Sequence, residues 1–107
     1  MAGAFQHIVL FRFPAPLSEG EQRDMKEQVR AWAGSIPGLI GLRFGPDVSG
    51  RAGDWQYLLL TEFEDDETHR AYYDHPLHQA FSAWVFDHNC EVVRFDYPLN
   101  QDTLFAG

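Results

Sequence analysis

Residues 5–13, FQHIVLFRF, constrain the chain most, because they place apolar side chains on both faces of one strand. Aromatic and β-branched residues dominate the run, a composition suited to a pleated, packed surface. With an alternation of two, Phe5, His7, Val9, Phe11 and Phe13 share one face. Gln6, Ile8, Leu10 and Arg12 share the other. A strand that is apolar on both sides needs cover on both sides. Helices of the same chain can supply one cover, and a second copy of the chain is the simplest source of the other.

The remaining segments follow in a readable order. Pro14 and Pro16 end the first strand. Ser18 and Glu21 stand at capping-box spacing, and Met25, Val29 and Trp32 follow at helical intervals, which predicts a helix over residues 18–33. Gly34, Pro37 and Gly38 stop it. Residues 39–44 predict a second strand with Ile40, Leu42 and Phe44 on one face. GPDVSGRAGD is a turn-rich loop. Residues 55–64 predict a third strand, with Trp55, Tyr57, Leu59, Thr61 and Phe63 on one side. Asp65 or Asp66 caps a short helix ending near Tyr73, and Pro76 fits the first turn of another that carries Phe81, Trp84, Val85 and His88. Residues 91–97 form the last strand. Residues 99–107 read as a tail, either disordered or docked through Leu104 and Phe105.

The order β-α-β-β-α-β is the split βαβ pattern. It predicts an α+β, ferredoxin-like fold with a four-stranded antiparallel sheet and helices on one face. At 107 residues the chain fits one domain, 1–107, with its core at about 5–98. The hydrophobic fraction of 45% supports a packed interior rather than disorder.

A formal charge of −8 argues against nucleic acid and against anionic membranes, both of which call for a basic surface. No apolar stretch approaches the length of a membrane span, and no basic segment followed by an apolar run marks a signal peptide. Cys90 is the single cysteine, so no internal disulfide forms, which suits a reducing cytoplasm.

Chemistry concentrates in AYYDHPLHQAF, residues 71–81, which holds Tyr72, Tyr73, His75 and His78. Imidazole titrates near neutral pH, and a phenol can donate to a developing oxyanion, so a histidine and a tyrosine make an acid–base pair. A base of this kind needs a carboxylate to fix its tautomer, and Asp96 in the last strand is the candidate partner for His78. The plainer reading makes His75 a cap or turn residue beside Pro76, and the two tyrosines core cover with wet hydroxyls. His7 is either a satisfied core histidine or a pocket residue, and Tyr57 lies on the equivalent face of the third strand. His75 and His78 lack a third ligand at a recognised spacing, so no metal and no cofactor are expected. Cys90 reads as an inert thiol. The segment GPDVSGRAG lacks the lysine of a phosphate loop.

HIVLFRF at 7–13, IPG at 36–38, FGPDVS at 44–49, TEFED at 61–65, YYDHPLHQAF at 72–81 and VVRFDYP at 92–98 together resemble the stress-responsive dimeric α/β-barrel (Dabb) family. The resemblance implies a homodimer whose sheets face each other, with a cavity between each sheet and its own helices. One branch of that family resembles olivetolic acid cyclase, a plant enzyme that closes a linear polyketide without a cofactor. Carried over residue by residue, that branch implies catalytic roles for Tyr72, His78 and Asp96, and a pocket role for His7. Tyr57 stands where the cyclase has a pocket histidine, and Trp55 and Trp84 change the pocket walls, so the substrate does not carry over. Three readings follow. The first is a cofactor-free acid–base catalyst of cyclase, isomerase or lyase type on a phenolic or polyketide-like carbonyl compound, with His7, Tyr57, Trp84 and His75 positioning the ligand. The second is a non-catalytic stress-responsive module that binds a small apolar or aromatic ligand. The third, a haem or metal protein, ranks last.

Overall fold

Seven elements appear in the computed structural model, which describes residues 4–99. They are β1 (Phe5–Arg12), α1 (Glu19–Arg30), β2 (Leu39–Pro46), β3 (Tyr57–Phe63), α2 (Asp66–Tyr72), α3 (Pro76–Asp87) and β4 (Glu91–Pro98). Leu104 and Phe105 lie outside the described residues.

The four strands form one antiparallel sheet in the order β2-β3-β1-β4. β1 is therefore central, paired with β3 on one side and β4 on the other. Its alternation holds as read: His7, Val9 and Phe11 are buried under the helices. From β3, Leu59, Thr61 and Phe63 join them. The Thr61 hydroxyl donates to the His7 carbonyl across the ladder, which satisfies a fully buried polar group.

The helices cover one face of this sheet. Ser18 caps α1 as a complete capping box with Glu21. Met25 and Val29 then turn inward with Trp32, each no more than 2% exposed. Trp32 packs edge-on against Tyr72 and Phe81, at ring separations of 5.5 and 5.2 Å, and so joins all three helices into one core. Asp65, rather than Asp66, caps α2 through the Thr68 amide. Asn89, at φ 55°, takes the left-handed conformation that ends α3.

Gly38 fixes where α2 sits. Its φ of +79° suits glycine, and a Cβ there would come within 2.4 Å of Thr68. The Gly38 carbonyl accepts from the Glu64 amide, closing the chain around the start of α2.

Two strand expectations are corrected. A bulge between Leu39 and Gly41 shifts the β2 register, so Leu39 rather than Ile40 packs on the core, and Ile40 is 54% exposed. Trp55 precedes β3 instead of opening it; its ring receives the Arg12 guanidinium at 4.7 Å. Gln56 continues the pairing beyond the strand, its amide donating to Phe11 and its side-chain oxygen accepting from the Phe13 amide.

The opposite face of the sheet carries no helix among the described residues. Leu58, Val93 and Phe95 on it are 38%, 47% and 63% exposed. Register partners Ile8–Phe95 and Leu10–Val93 make this a continuous apolar patch. No helix among the described residues is long and apolar enough to cross a membrane.

Candidate active site

A cavity of about 130 Å³ lies between the helix-covered face of the sheet and helices α2 and α3. β1 supplies its floor through His7, Val9 and Phe11, and β4 supplies one wall through Val92 and Arg94. Tyr72 and Tyr73, at the end of α2, and His78, Phe81, Ser82, Val85 and Phe86 on α3 complete it. The α3 residues recur at intervals of three and four, one stripe of the helix. The mouth opens along the β4 edge, where Phe86 is 80% exposed.

His7, 1% exposed, faces Asp96, its register partner in β4. Its Nδ1 lies in hydrogen-bond contact with the Asp96 carboxylate. A carboxylate only accepts, so Nδ1 donates this hydrogen bond and Nε2 is the nitrogen left facing away from Asp96. This corrects the expected pairing: the carboxylate goes to His7, not to His78. The reason is register, which sets His7 directly opposite Asp96 on the ladder, whereas His78 sits in the helical layer.

His78 instead uses Nδ1 to donate to the Tyr73 carbonyl over a long 3.4 Å, which leaves its Nε2 as an acceptor. Its ring centroid is 4.2 Å from that of Tyr72. Burial pushes His78 below the usual histidine range, opposed by the Tyr73 carbonyl and reinforced by the positive charge of Arg94. The ring is therefore a free base at neutral pH. Burial also pushes the Tyr72 phenol upward, so it stays protonated and remains a donor.

His69, which the sequence reading passed over, completes the buried group. It is 4% exposed, and its Nε2 accepts from the Tyr73 hydroxyl at 3.0 Å. Its ring stacks on Phe5 at 4.8 Å and lies 4.7 Å from His7. Burial lowers its pKa too. The signal was present: His69 precedes Tyr72 and Tyr73 by three and four residues, the spacing that puts side chains on one face of a helix. Arg94 was likewise legible from the alternation Val92, Arg94, Asp96 along β4.

Among the described residues, His7, His69 and Asp96 bring ligand-type atoms within 4.8 Å of one another. Two imidazoles and a carboxylate form a donor set for a divalent cation. In the present arrangement Asp96 is engaged by the His7 Nδ1–H and the His69 Nε2 by Tyr73.

Three expected ligand-positioning residues lie elsewhere. His75 caps α3, its Nδ1 accepting from the Leu77 amide at 3.2 Å. Tyr57 stacks flat on Phe44 at 5.6 Å, toward β2, and from β3 it is Leu59 rather than Tyr57 that lines the cavity. Trp84 falls off the cavity stripe of α3; it meets Phe13 and stacks on His88 at 3.9 Å.

A family model for the stress responsive A/B barrel domain, Dabb, matches residues 5–99. The chain belongs to the Dabb family. No curated protein matches it. Solved structures match this Dabb chain over nearly its full length. One is a dimeric ferredoxin-like protein from Thermobifida fusca, 24% identical, with a TM-score of 0.81 and 92% of each chain covered. Another is the hydroxynitrile lyase of Passiflora edulis, 18% identical, with a TM-score of 0.81, covering 95% of this chain and 98% of that one. A third is a cofactor-independent oxygenase from Streptomyces nogalater, 12% identical, with a TM-score of 0.73, covering 97% of this chain and 100% of that one. At these identities the likeness establishes the ferredoxin-like fold of this Dabb chain.

Proposed function

We propose that this Dabb protein binds a small apolar or aromatic carbonyl compound and acts on it as a cofactor-free acid–base catalyst of lyase, cyclase or isomerase type. The observation that carries the reading is the convergence of Tyr72, His78 and His7, the last held by Asp96, on one partly enclosed cavity of mixed polar and apolar lining. His78, held as a free base by burial, removes a proton beside the carbonyl. Tyr72 donates to the carbonyl oxygen as negative charge grows there. Asp96 acts through His7, fixing its tautomer so that Nε2 is the atom offered to the ligand. Phenolic or polyketide-like compounds fit the ring-lined walls, and the cavity volume suits about one ring, since an engineered apolar cavity of about 150 Å³ takes up benzene.

The test is solvent deuterium exchange, followed by NMR, at the carbon beside the carbonyl across a panel of phenolic and β-keto compounds. Exchange above background is expected for at least one compound, with loss in His78→Ala and Tyr72→Phe at unchanged melting temperature. Full exchange in both variants would remove the mechanism. Binding without any exchange would favour the second reading, a ligand-binding module in which His7–Asp96 is a buried structural pair.

The working form in this reading is a cytoplasmic homodimer, with the bare sheet faces of two copies packed together. Its support is the apolar patch of Leu58, Val93 and Phe95, together with the description of similar structures as dimeric.

A further inference from the structure

Among the described residues, Arg94 is the one that lines the cavity with a permanent charge. It stands at the mouth, exposed, on the same face of β4 as Asp96. Three arginines of this acidic chain are matched, Arg12 with Glu91, Arg30 with Glu27 and Arg70 with Asp66, and of the unmatched ones Arg94 is the one that lines the cavity. Arg94 has no ion pair or hydrogen bond from its side chain among the described residues, and the nearby carboxylate of Asp96 is taken by His7. Its positive charge nevertheless reaches inward, opposing the burial that raises the Tyr72 and Tyr73 phenols and adding to the burial that lowers His78. An unmatched guanidinium at the rim of this hollow is a docking point for an anion, and its planar fork fits a carboxylate.

We infer that the cavity selects carbonyl compounds that also carry a carboxylate, with the ring or chain inside against Tyr72 and His78 and the carboxylate at the mouth on Arg94. This rests on the ligand-binding reading above and names its substrate class. The geometry separates the two ends of such a molecule: the reacting end meets neutral groups in a buried site, and the charged end keeps contact with water. A neutral ligand of the same shape would forgo the outer contact alone. The same arrangement sets direction, because turning the ligand round would bury its charge beside neutral rings.

The test compares 3-benzoylpropionate with 3-benzoylpropanamide, an aryl ketone in matched anionic and neutral forms, by isothermal titration calorimetry on the full chain. The carboxylate is expected to bind about tenfold more tightly, the scale of one charge-assisted hydrogen-bonded contact. Arg94→Gln should bring the ratio close to one, and Arg94→Lys should restore part of it. Raising the salt concentration should shrink the ratio in the wild-type protein, because the guanidinium is exposed. This last arm needs no variant. Equal binding of the two ligands, or a ratio untouched by Arg94→Gln, overturns the anion preference and leaves the cavity reading standing. Binding of neither ligand overturns both.

Discussion

His7 in β1 and Asp96 in β4 are register partners whose side chains join across the ladder, a nearly inaccessible imidazole held by a carboxylate that is 34% exposed. Removing the acceptor leaves a buried N–H without a partner, which costs about 1–3 kcal/mol. Asp96→Ala is therefore expected to lower stability within that range in urea unfolding. Asp96→Asn, whose amide oxygen still accepts, should lower it less. A double-mutant cycle with His7→Ala should return a coupling of about 1 kcal/mol, tempered by the partial exposure of the carboxylate. No coupling would mean that the pair does not hold in solution.

Stability should decline as pH falls below the ordinary histidine range. His69 and His78 both have folded-state pKa values lowered, by burial first. Above the unfolded pKa of about 6.5 both states are neutral and the contribution is intact. As pH falls from there, the unfolded chain takes up protons that the folded chain resists, and stability is lost through the folded pKa values. Melting temperatures recorded from neutral pH down to mildly acidic pH should fall, and the slope should be shallower in His69→Gln. An unchanged slope in that variant would exclude His69 as a source. If His78 is the base, activity should likewise persist to a pH below 6.5 before it halves.

Gly38→Ala should be much more damaging than Gly34→Ala. Both positions have positive φ, at +79° and +74°, so both replacements carry backbone strain of about 1–3 kcal/mol. Only at Gly38 does the new Cβ collide with Thr68, while nothing lies within 4 Å at Gly34. The difference in melting temperature between the two variants measures the collision, and equal losses would show that α2 moves aside freely.

Phe95→Glu should yield a monomer. The side chain is 63% exposed on the uncovered sheet face and takes no part in the core. A carboxylate there would be buried without a partner in a face-to-face dimer. Sedimentation should then give the monomer mass at concentrations where the parent chain is dimeric. An unaltered mass would place any self-association elsewhere.

Much of this architecture was legible because alternation and capping are local signals. The two faces of β1, the box at Ser18 and the proline start of α3 depend only on neighbours in the chain. The bulge at Leu39 and Gly41 was hidden, since it shows only against β3, and it moved Ile40 outward. The site was legible in membership more than in wiring. Tyr72, His78 and His7 line one cavity and Asp96 stands behind His7, yet which histidine takes the carboxylate is decided by strand register. Tyr57 was assigned by strand face and Trp84 as a pocket-wall residue, but Tyr57 packs on Phe44 and Trp84 on Phe13 and His88. His69 escaped notice because its role depends on Phe5, His7 and Tyr73 closing around it.

Odd-numbered positions of β1 point to the cavity beneath the helices and even-numbered ones to the uncovered side, so a single strand answers to two unrelated demands. Inserting or deleting one residue within it would exchange His7, Val9 and Phe11 for Ile8 and Leu10, emptying the chamber and spoiling the outer patch in one event. A change of length in the loop between β2 and β3 leaves that alternation intact, whereas one within the central strand does not.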